Sequence, residues 1–264
     1  MKSLRQLFRK TPTVSIVRLQ GTIGMGRSSL SERALSDMLG KAFSRGKPKA
    51  VALEINSPGG SPVQSALIGA RIRRLAEEKE IPVFAFVEDV AASGGYWIAS
   101  AADEIYADDS SILGSIGVIS AGFGAHVFLQ RQGIERRVHT AGKSKSMLDP
   151  FRPESEEDVA RLNRILEELH GNFIAHVKAR RGAKLAEEPE LFTGEIWLGQ
   201  SAVDVGLADG IGHLEAVMKA RYGKELRFRR YGQKKGLIGR LGAQFTGQAL
   251  AEIEERASYA RFGL

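Results

Sequence analysis

The chain has 264 residues, enough to bury a substantial core in one large α/β domain or two small ones. Hydrophobic residues make up 43% of the sequence and charged residues 26%, which is ordinary for a globular protein. Because no cysteine is present, disulfides, thiolate metal sites and a cysteine nucleophile are excluded.

The formal net charge is +7, and the positive charge is concentrated at the two ends of the chain. Basic residues cluster within 2–10 and again within 221–240, whereas the central part is nearly balanced. The sequence also has no helix-turn-helix, RNP or zinc pattern, so we expect no nucleic-acid partner. A weak contact of the basic ends with an anionic membrane surface is one hypothesis, and plain solvated surface is the alternative.

No stretch approaches the ~18 consecutive apolar residues of a membrane-spanning helix. Residues 1–12 are basic but lack the apolar core and the cleavage site of a secretory signal peptide. We therefore expect a cytoplasmic protein, at most peripheral to the inner membrane. Its expected parts are a basic N-terminal segment at 1–11, a main domain at 12–222 and a basic C-terminal extension at 223–264.

The first half of the chain shows alternating strand and helix patterns. Strands are predicted at 14–19, 50–55 and 81–87, and helices at 31–43, 62–78 and 93–100. Ser61 is the expected N-cap of the second helix, with Pro62 at its first position. This alternation is typical of a mostly parallel sheet built from crossover units.

The second half gives weaker signals, apart from one long helix. Short strands are predicted at 104–107, 118–120 and 135–139, and short helices at 124–130 and within 198–212. At 153–181, apolar residues recur at steps of three and four, which predicts an amphipathic helix that packs on the sheet or on another subunit. A basic linker at 232–236 and a terminal helix at 248–261 are predicted beyond it.

Two glycine-rich turns follow neighbouring predicted strands, NSPGG at 56–60 and AASGG at 91–95. Because sites in open α/β sheets form at the carboxyl ends of the strands, we expect these turns to lie together. Ser93 stands where a helix begins, so the amides of Gly94 and Gly95 lack helical partners and can stabilise negative charge. The turn alone fits either a plain N-cap or a nucleophile.

A serine nucleophile needs a base, and the residues alone leave its identity open. The long helix explains two of the histidines as members of its polar face, and the others have no recognisable partner motif. A Ser–His–Asp triad therefore stays possible in principle. The five histidines are His126, His139, His170, His176 and His213.

Six regions of the sequence together carry a resemblance to a known family. They are NSPGG at 56–60, AASGGYWIA at 91–99, ADEI at 102–105, GSIGV at 114–118, AGKSK with LDPFRP within 141–153, and GLADGIG at 206–212. In this order they resemble the signal peptide peptidase A and SohB family, the S49 serine peptidases. The resemblance covers roughly residues 12–222.

The resemblance implies a crotonase-like (ClpP-like) α/β fold of repeated β-β-α units and a serine endopeptidase with a Ser–Lys dyad. Ser93 matches the nucleophile and Lys145 the general base, and Ser115 matches a hydroxyl that orients the lysine. Gly60 and the amide of Gly94 match the oxyanion donors. No cofactor or metal is implied.

The resemblance also implies hydrophobic or membrane-derived peptide substrates, such as signal-peptide remnants, bound as extended strands. A ring-type homo-oligomer is expected as well. Two other functions on the same fold stay open: an acyl-CoA-processing enzyme that uses the glycine amides for a thioester oxyanion, and a non-catalytic peptide-binding scaffold.

The position of the base rests on the register of the AGKSK run. Lys143 and Lys145 are two residues apart, so on an extended segment both would point to the same side. The family pattern places the base fifth in the run, at Lys145. Because a free lysine has a pKa of about 10.4, a lysine base near neutral pH requires a dry pocket that lowers its pKa by roughly three units.

Overall fold

The computed structural model describes residues 11–26, 29–142, 144–232 and 256–264. A mostly parallel sheet forms its centre. The strands are β1 (Thr13–Gln20), β2 (Ala50–Ser57), β3 (Val83–Ala92), β4 (Glu104–Ala107), β5 (Ile112–Gly114), β6 (Ile196–Leu198), β7 (Gly210–Ile211) and β8 (Arg227–Tyr231).

Helices connect and cover these strands. They are α1 (Glu32–Ser44), α2 (Pro62–Lys79), α3 (Gly94–Ala99), α4 (His126–Arg131), α5 (Glu156–Arg181), α6 (Gly199–Asp204) and α7 (Leu214–Tyr222). Serine side chains cap three of them at the N-terminus: Ser31 at α1, Ser61 at α2 and Ser155 at α5. Each hydroxyl accepts a hydrogen bond from an otherwise unpaired first-turn amide, which fixes where the helix begins.

The sheet runs in the order β6-β5-β3-β2-β1-β8, and β4 continues from β3 to β7. All pairs are parallel except β5 with β6. β1, β2 and β3 are almost continuously apolar because both of their faces are covered. This α/β architecture is the predicted ClpP/crotonase-like fold, and the prediction is confirmed.

Alternate residues of the central strands enter two separate apolar layers. On one face Val17, Leu53 and Ala85 join a large cluster that includes α1, α2 and α3 residues. On the other face Ile16 and Phe84 join a smaller cluster with α7 residues. Burying a large apolar side chain contributes roughly 1.5–3 kcal/mol, so the two layers fix the strand register and the positions of the strand ends.

Two predicted strands are absent. Residues 118–120 and 135–139 have no strand partner, and the strand in this region is β5, at Ile112–Gly114. The β-branched residues behind the first prediction are not packed in a sheet, since Ile119 is 67% exposed. The helix predicted at 124–130 is confirmed as α4, and the long helix as α5.

The sheet also extends beyond the predicted main domain. β8 pairs with β1, so the expected boundary at residue 222 falls before a strand of the same sheet. The strand has the basic sequence RFRRY, which we interpreted as part of a solvated tail. In the structure Arg230 forms an ion pair with Glu54 of β2. Of the predicted terminal helix, 256–260 is helical, and 248–255 lies outside the described residues, as does most of the 232–236 linker.

Candidate active site

The two glycine-rich turns meet at the carboxyl ends of β2 and β3, as predicted. Gly59 shows how closely they approach, because a Cβ built on it would lie 2.8 Å from Ala92 O, from Gly94 N and from Ser93 Cβ. Gly59 also has a φ of +100°, which a residue with a side chain rarely adopts. Only glycine allows this turn to pack on the neighbouring one.

Ser93 lies at the sharp turn from β3 into α3. Its backbone has φ 51° and ψ −122°, an unusual conformation for a residue with a Cβ. Unlike the serines that begin α1, α2 and α5, it makes no capping hydrogen bond with its hydroxyl. The plain N-cap interpretation therefore fails, and the half-buried hydroxyl is left available at a strained turn.

The backbone of this turn is held from both sides. The Ser93 amide donates to Gly114 O at 2.9 Å, next to the end of β5. The Ser93 carbonyl accepts from Trp97 N at 3.0 Å within the first turn of α3. The strained conformation is thus fixed by neighbouring strands and helix, as such conformations must be in order to persist.

The amides of Gly60 and Gly94, beside this serine, donate no hydrogen bond in any turn, loop or cap of the described chain. Ile23 forms a parallel bridge in which its N and O atoms bond to Gly59 O and Ser61 N, so the Gly60 amide faces the other way. Gly94 begins α3, where no preceding carbonyl is in reach. A Cβ on Gly94 would lie 3.4 Å from Gly60 N, so the two donors are neighbours.

Ser93, Gly60, Gly94 and Ser115 all line one cavity of about 690 Å³. Its walls come from the 22–26 segment, the 115–119 segment, one side of α5, and residues within 258–262. The volume is in the range of ordinary ligand clefts, with room for a peptide beside the serine. Four of the five predicted site residues therefore share one cleft.

Residues near the C-terminus form part of the cleft rim. Tyr259 donates its hydroxyl hydrogen to Asn56 O at 2.7 Å. Tyr259 and Phe262 also pack against the apolar cluster of Val90, Ala92 and Ile112, directly beside the nucleophile turn. The sequence predicted a helix here but not this contact.

Lys145 is not in this cleft. It is exposed and lies in a turn in which its amide donates to Gly142 O at 3.1 Å. It does not line the cavity that contains Ser93. Lys143 lies outside the described residues. A single chain therefore brings the hydroxyl and the amides together and leaves the predicted base outside.

His170 was not predicted as a site residue, yet it lines the Ser93 cavity. Its Nε2 lies 3.0 Å from Ile116 O, at the segment that follows β5. The sequence contained a signal, because His170 falls at the helical spacing of the apolar stripe between Leu166 and Phe173. A polar side chain on an apolar stripe is oriented towards the protein, not towards solvent.

His176 is also directed inward from α5. Its ring stacks on Trp97, and Nε2 lies 2.9 Å from Ser100 Oγ and 3.2 Å from Trp97 O. Burial, and to a smaller extent the charge of Arg180, lowers the pKa of His176. The ring therefore holds the C-terminal end of the short helix whose N-terminal end carries Ser93, and polar-face exposure is the wrong interpretation for both helix histidines.

Within the described residues, no cluster of three or more histidine, aspartate or glutamate side chains is placed to hold a metal ion. No described helix combines the length and the apolar character needed to cross a bilayer. A serine on a strained strand-to-helix turn, beside two free amides, defines a serine hydrolase site on a ClpP/crotonase-like fold.

Comparison with known proteins gives the family. The model of peptidase family S49 matches residues 76–227, and that of the NfeD1b N-terminal domain matches residues 13–131. A putative protease of Synechocystis sp. is 31% identical over 78% of this chain and 72% of its own length. The chain belongs to peptidase family S49, as the sequence motifs predicted.

Other relatives are longer than the chain. The protein named Na(+)/H(+) antiporter NhaA in Brucella abortus (strain 2308) is 46% identical over 97% of this chain, which spans only 38% of it. A putative signal peptide peptidase SppA of Enterococcus faecium is 34% identical, and the aligned part is 63% of this chain and 48% of that protein.

One solved structure supports the fold. It is a mutant of the 1510-N membrane-bound stomatin-specific protease in complex with a substrate peptide, with a TM-score of 0.53 and 14% identity. The match covers 92% of this chain and 98% of that one. At this identity the likeness concerns architecture alone.

Proposed function

We propose that this chain is a serine endopeptidase in which Ser93 attacks the scissile peptide carbonyl while the Gly60 and Gly94 amides stabilise the oxyanion. The observation that carries the proposal is the Ser93 turn. Its φ is 51°, its hydroxyl is not used as a helix cap, and two free amides lie beside it. Strained residues of this kind concentrate at functional sites.

The reaction is acyl transfer in two steps. A neutral amine, assigned to Lys145 from the family motif, takes the Ser93 proton as the oxygen attacks the carbonyl carbon. The protonated amine then gives that proton to the leaving peptide nitrogen, and an ester to Ser93 remains. Water, deprotonated by the same amine, attacks the ester and restores the free hydroxyl.

The exposure of Lys145 sets a condition on this dyad. Its turn must come over the Ser93 cleft, either by closing within one chain or by supply from a neighbouring copy. We favour a second copy, in a ring-type homo-oligomer, because the chain around this turn exposes a set of large apolar side chains. They are Ile119 (67% exposed), Phe123 (94%), Val127 (45%), Phe128 (62%), Ile134 (54%) and Phe151 (41%).

Large apolar side chains left exposed along one stretch of the chain are typical of an interaction site. The assembly proposal is tested by light scattering of the wild type and of Phe123→Glu. A stable oligomer that the substitution dissociates, with loss of activity, supports it. A wild type that is monomeric at micromolar concentration and fully active contradicts it.

Hydrophobic peptides are the proposed substrates. The cleft wall contains apolar side chains of α3 and α5, among them Trp97, Leu169 and Phe173. A relative that is 34% identical to this chain is named a putative signal peptide peptidase, which supports membrane-derived peptides. An extended peptide would place its backbone against the 22–26 and 115–119 segments, which both line the cleft.

Membrane-surface contact through the basic ends is the least supported part of the proposal. Arg230 is paired with Glu54, and Arg229 donates to Arg45 O, so these two guanidinium groups already have partners. Residues 1–10 lie outside the described structure. Flotation with vesicles containing about 30% phosphatidylserine tests the membrane contact. Absence of binding at low salt would refute the contact.

The dyad is tested by kinetics on an unstructured hydrophobic peptide with a fluorescent leaving group. Ser93→Ala and Lys145→Ala should each reduce kcat by about 10⁴-fold or more. Lys143→Ala, two residues away, is the matched control and should stay near wild type. The reverse result for the two lysines would move the base to Lys143, and full activity in Ser93→Ala would refute the peptidase site.

The same proteins separate the two alternatives on this fold. Hydrolysis of an acyl-CoA thioester that survives Ser93→Ala would favour an acyl-CoA enzyme, because that chemistry needs the oxyanion amides but not the hydroxyl. Peptide binding without turnover by the wild type, at every pH from 6 to 9, would favour a scaffold.

A further inference from the structure

His170 makes a hydrogen bond that the catalytic proposal does not use. It extends from α5 into the wall of the Ser93 cavity, with Nε2 at 3.0 Å from Ile116 O. Because a carbonyl oxygen only accepts, Nε2 must carry the hydrogen. Ile116 is 0% exposed, so solvent does not reach that carbonyl while the histidine is in place.

The segment that receives this bond is unusually constrained. Gly114 has φ +97° and Ser115 has φ +50°, and Gly117 N donates back to Ser115 O at 2.9 Å. A serine at positive φ persists only where its surroundings hold it. The Ser115 amide is held by Glu195 O at 2.7 Å, and the next carbonyl, that of Ile116, is held by His170.

The same segment holds the nucleophile. Gly114 O accepts from the Ser93 amide at 2.9 Å, and Ser115 and Gly117 line the cleft. A continuous path therefore runs from the His170 ring through Ile116 and Gly114 to the backbone of Ser93. A shift of the 114–117 segment would move both the nucleophile and the cleft wall.

We propose that His170 is a positioning residue of the peptidase: its Nε2 hydrogen holds the 114–117 segment in the shape that aligns Ser93 and Ser115. The inference rests on the proposed function, since it assigns a role at the same site. Because Nε2 donates to this carbonyl, Nε2 is not the proton acceptor for Ser93.

The test compares His170→Leu with His170→Gln. Leucine fills similar space without a donor, whereas the glutamine side-chain amide can donate from nearly the same place as Nε2. We measure the rate of Ser93 modification by a fluorophosphonate probe, kcat and KM on the hydrophobic peptide, the pH profile from 6 to 9, and thermal unfolding. His213→Leu is the matched control, because His213 is exposed and pairs with Asp108 away from the cleft.

We expect His170→Leu to lower the probe rate and kcat by about tenfold, the equivalent of one hydrogen bond to a buried carbonyl. KM should change by less than about threefold. His170→Gln should return to within about threefold of wild type with the same pH profile, and His213→Leu should match wild type. If His170→Leu does not fold, His170→Asn, too short to reach Ile116 O, takes its place.

Other results overturn the inference. A folded His170→Leu that reacts at the wild-type rate shows that the bond does not align the site. A His170→Gln as slow as His170→Leu, with loss of the acidic limb of the pH profile, identifies His170 as the base. Wild type that labels no faster than Ser93→Ala refutes the proposed function itself, and the inference with it, so the two failures are distinguishable.

Discussion

Replacement of Gly59 by alanine tests whether the close packing of the two turns builds the site. The added Cβ would lie 2.8 Å from three atoms, Ala92 O, Gly94 N and Ser93 Cβ. Two of these atoms belong to the backbone, so no side-chain rotation can relieve the contact. The nucleophile turn must therefore move, or Gly59 must.

The cost has two parts. A residue with a Cβ at positive φ loses roughly 1–2 kcal/mol, and overpacking of a close contact adds about 1–3 kcal/mol. Gly59→Ala should therefore lose about 2–5 kcal/mol of unfolding free energy. That is a large share of the 5–15 kcal/mol, roughly, that stabilises a typical domain.

Gly59→Ala should reduce activity more than it reduces stability, because the added Cβ contacts Ser93 and Gly94 directly. We expect labelling by the fluorophosphonate probe to fall more than tenfold at temperatures where Gly59→Ala is still folded. A displacement of about 1 Å at a reacting group costs on the order of a hundredfold in rate.

Urea unfolding with linear extrapolation gives the free energies, provided that the m-values agree. Gly171→Ala in α5 is the matched control, since its Cβ would meet nothing within 4 Å and the residue lies inside a helix. This control should gain about 0.5–1 kcal/mol. If Gly59→Ala unfolds at the wild-type urea concentration and labels at the wild-type rate, the close contact is not what shapes the site.

Three further substitutions test the structure around the site. Asp209→Asn should cost about 3–5 kcal/mol in urea unfolding, because Asp209 accepts at 2.7 Å from Arg181, whose side chain is only 2% exposed. Ser93→Gly should be more stable than Ser93→Ala by about 1–2 kcal/mol, since glycine relieves the positive φ; equal stabilities would show that Ser93 is not strained. Burial, with Arg180, lowers the pKa of His176, so the unfolded chain binds the extra proton first as the pH falls below about 6.5. Wild-type stability should decrease from there down to the lowered pKa, and acid-pH melting of His176→Gln should lack that decrease.

The elements that the sequence predicted well are those whose signals are local. β1 and β2 are apolar runs that end at turn residues, and α2 begins with Ser61 and Pro62 where the N-cap pattern placed it. Both glycine turns follow such strands directly. Their meeting at one sheet edge follows from parallel topology, which the strand–helix alternation already implied.

The elements that the sequence missed depend on distant partners. β8 has the sequence RFRRY, and it is a strand because β1 presents an open edge and Glu54 pairs with Arg230. β5 and β6 have three residues each and pair with one another antiparallel. Strands this short are specified by their neighbours more than by their own periodicity.

The site residues also differ in whether local sequence signals or distant partners place them. Ser93, Gly60 and Gly94 are attached to strand ends, so a single chain suffices to bring them together. Ser115 also reaches the cleft, because β5 pairs with β3 immediately before it. His170 comes from a helix whose pattern indicates only which face is buried, and its partner, Ile116 O, is a backbone atom that no sequence pattern marks.

The predicted base, Lys145, is placed neither by a strand end nor by the buried face of a helix within one chain. Lys145 lies between α4 and α5, in a region whose predicted strand at 135–139 does not form and whose large apolar side chains are exposed. An amine that accepts a proton near neutral pH needs a dry pocket, and an exposed turn cannot provide one. Surface that is apolar and uncovered becomes dry when a second copy packs on it. The proposed assembly would therefore supply in one step both the cover that these side chains lack and the environment that a lysine base requires, which is why activity and oligomeric state should be lost together.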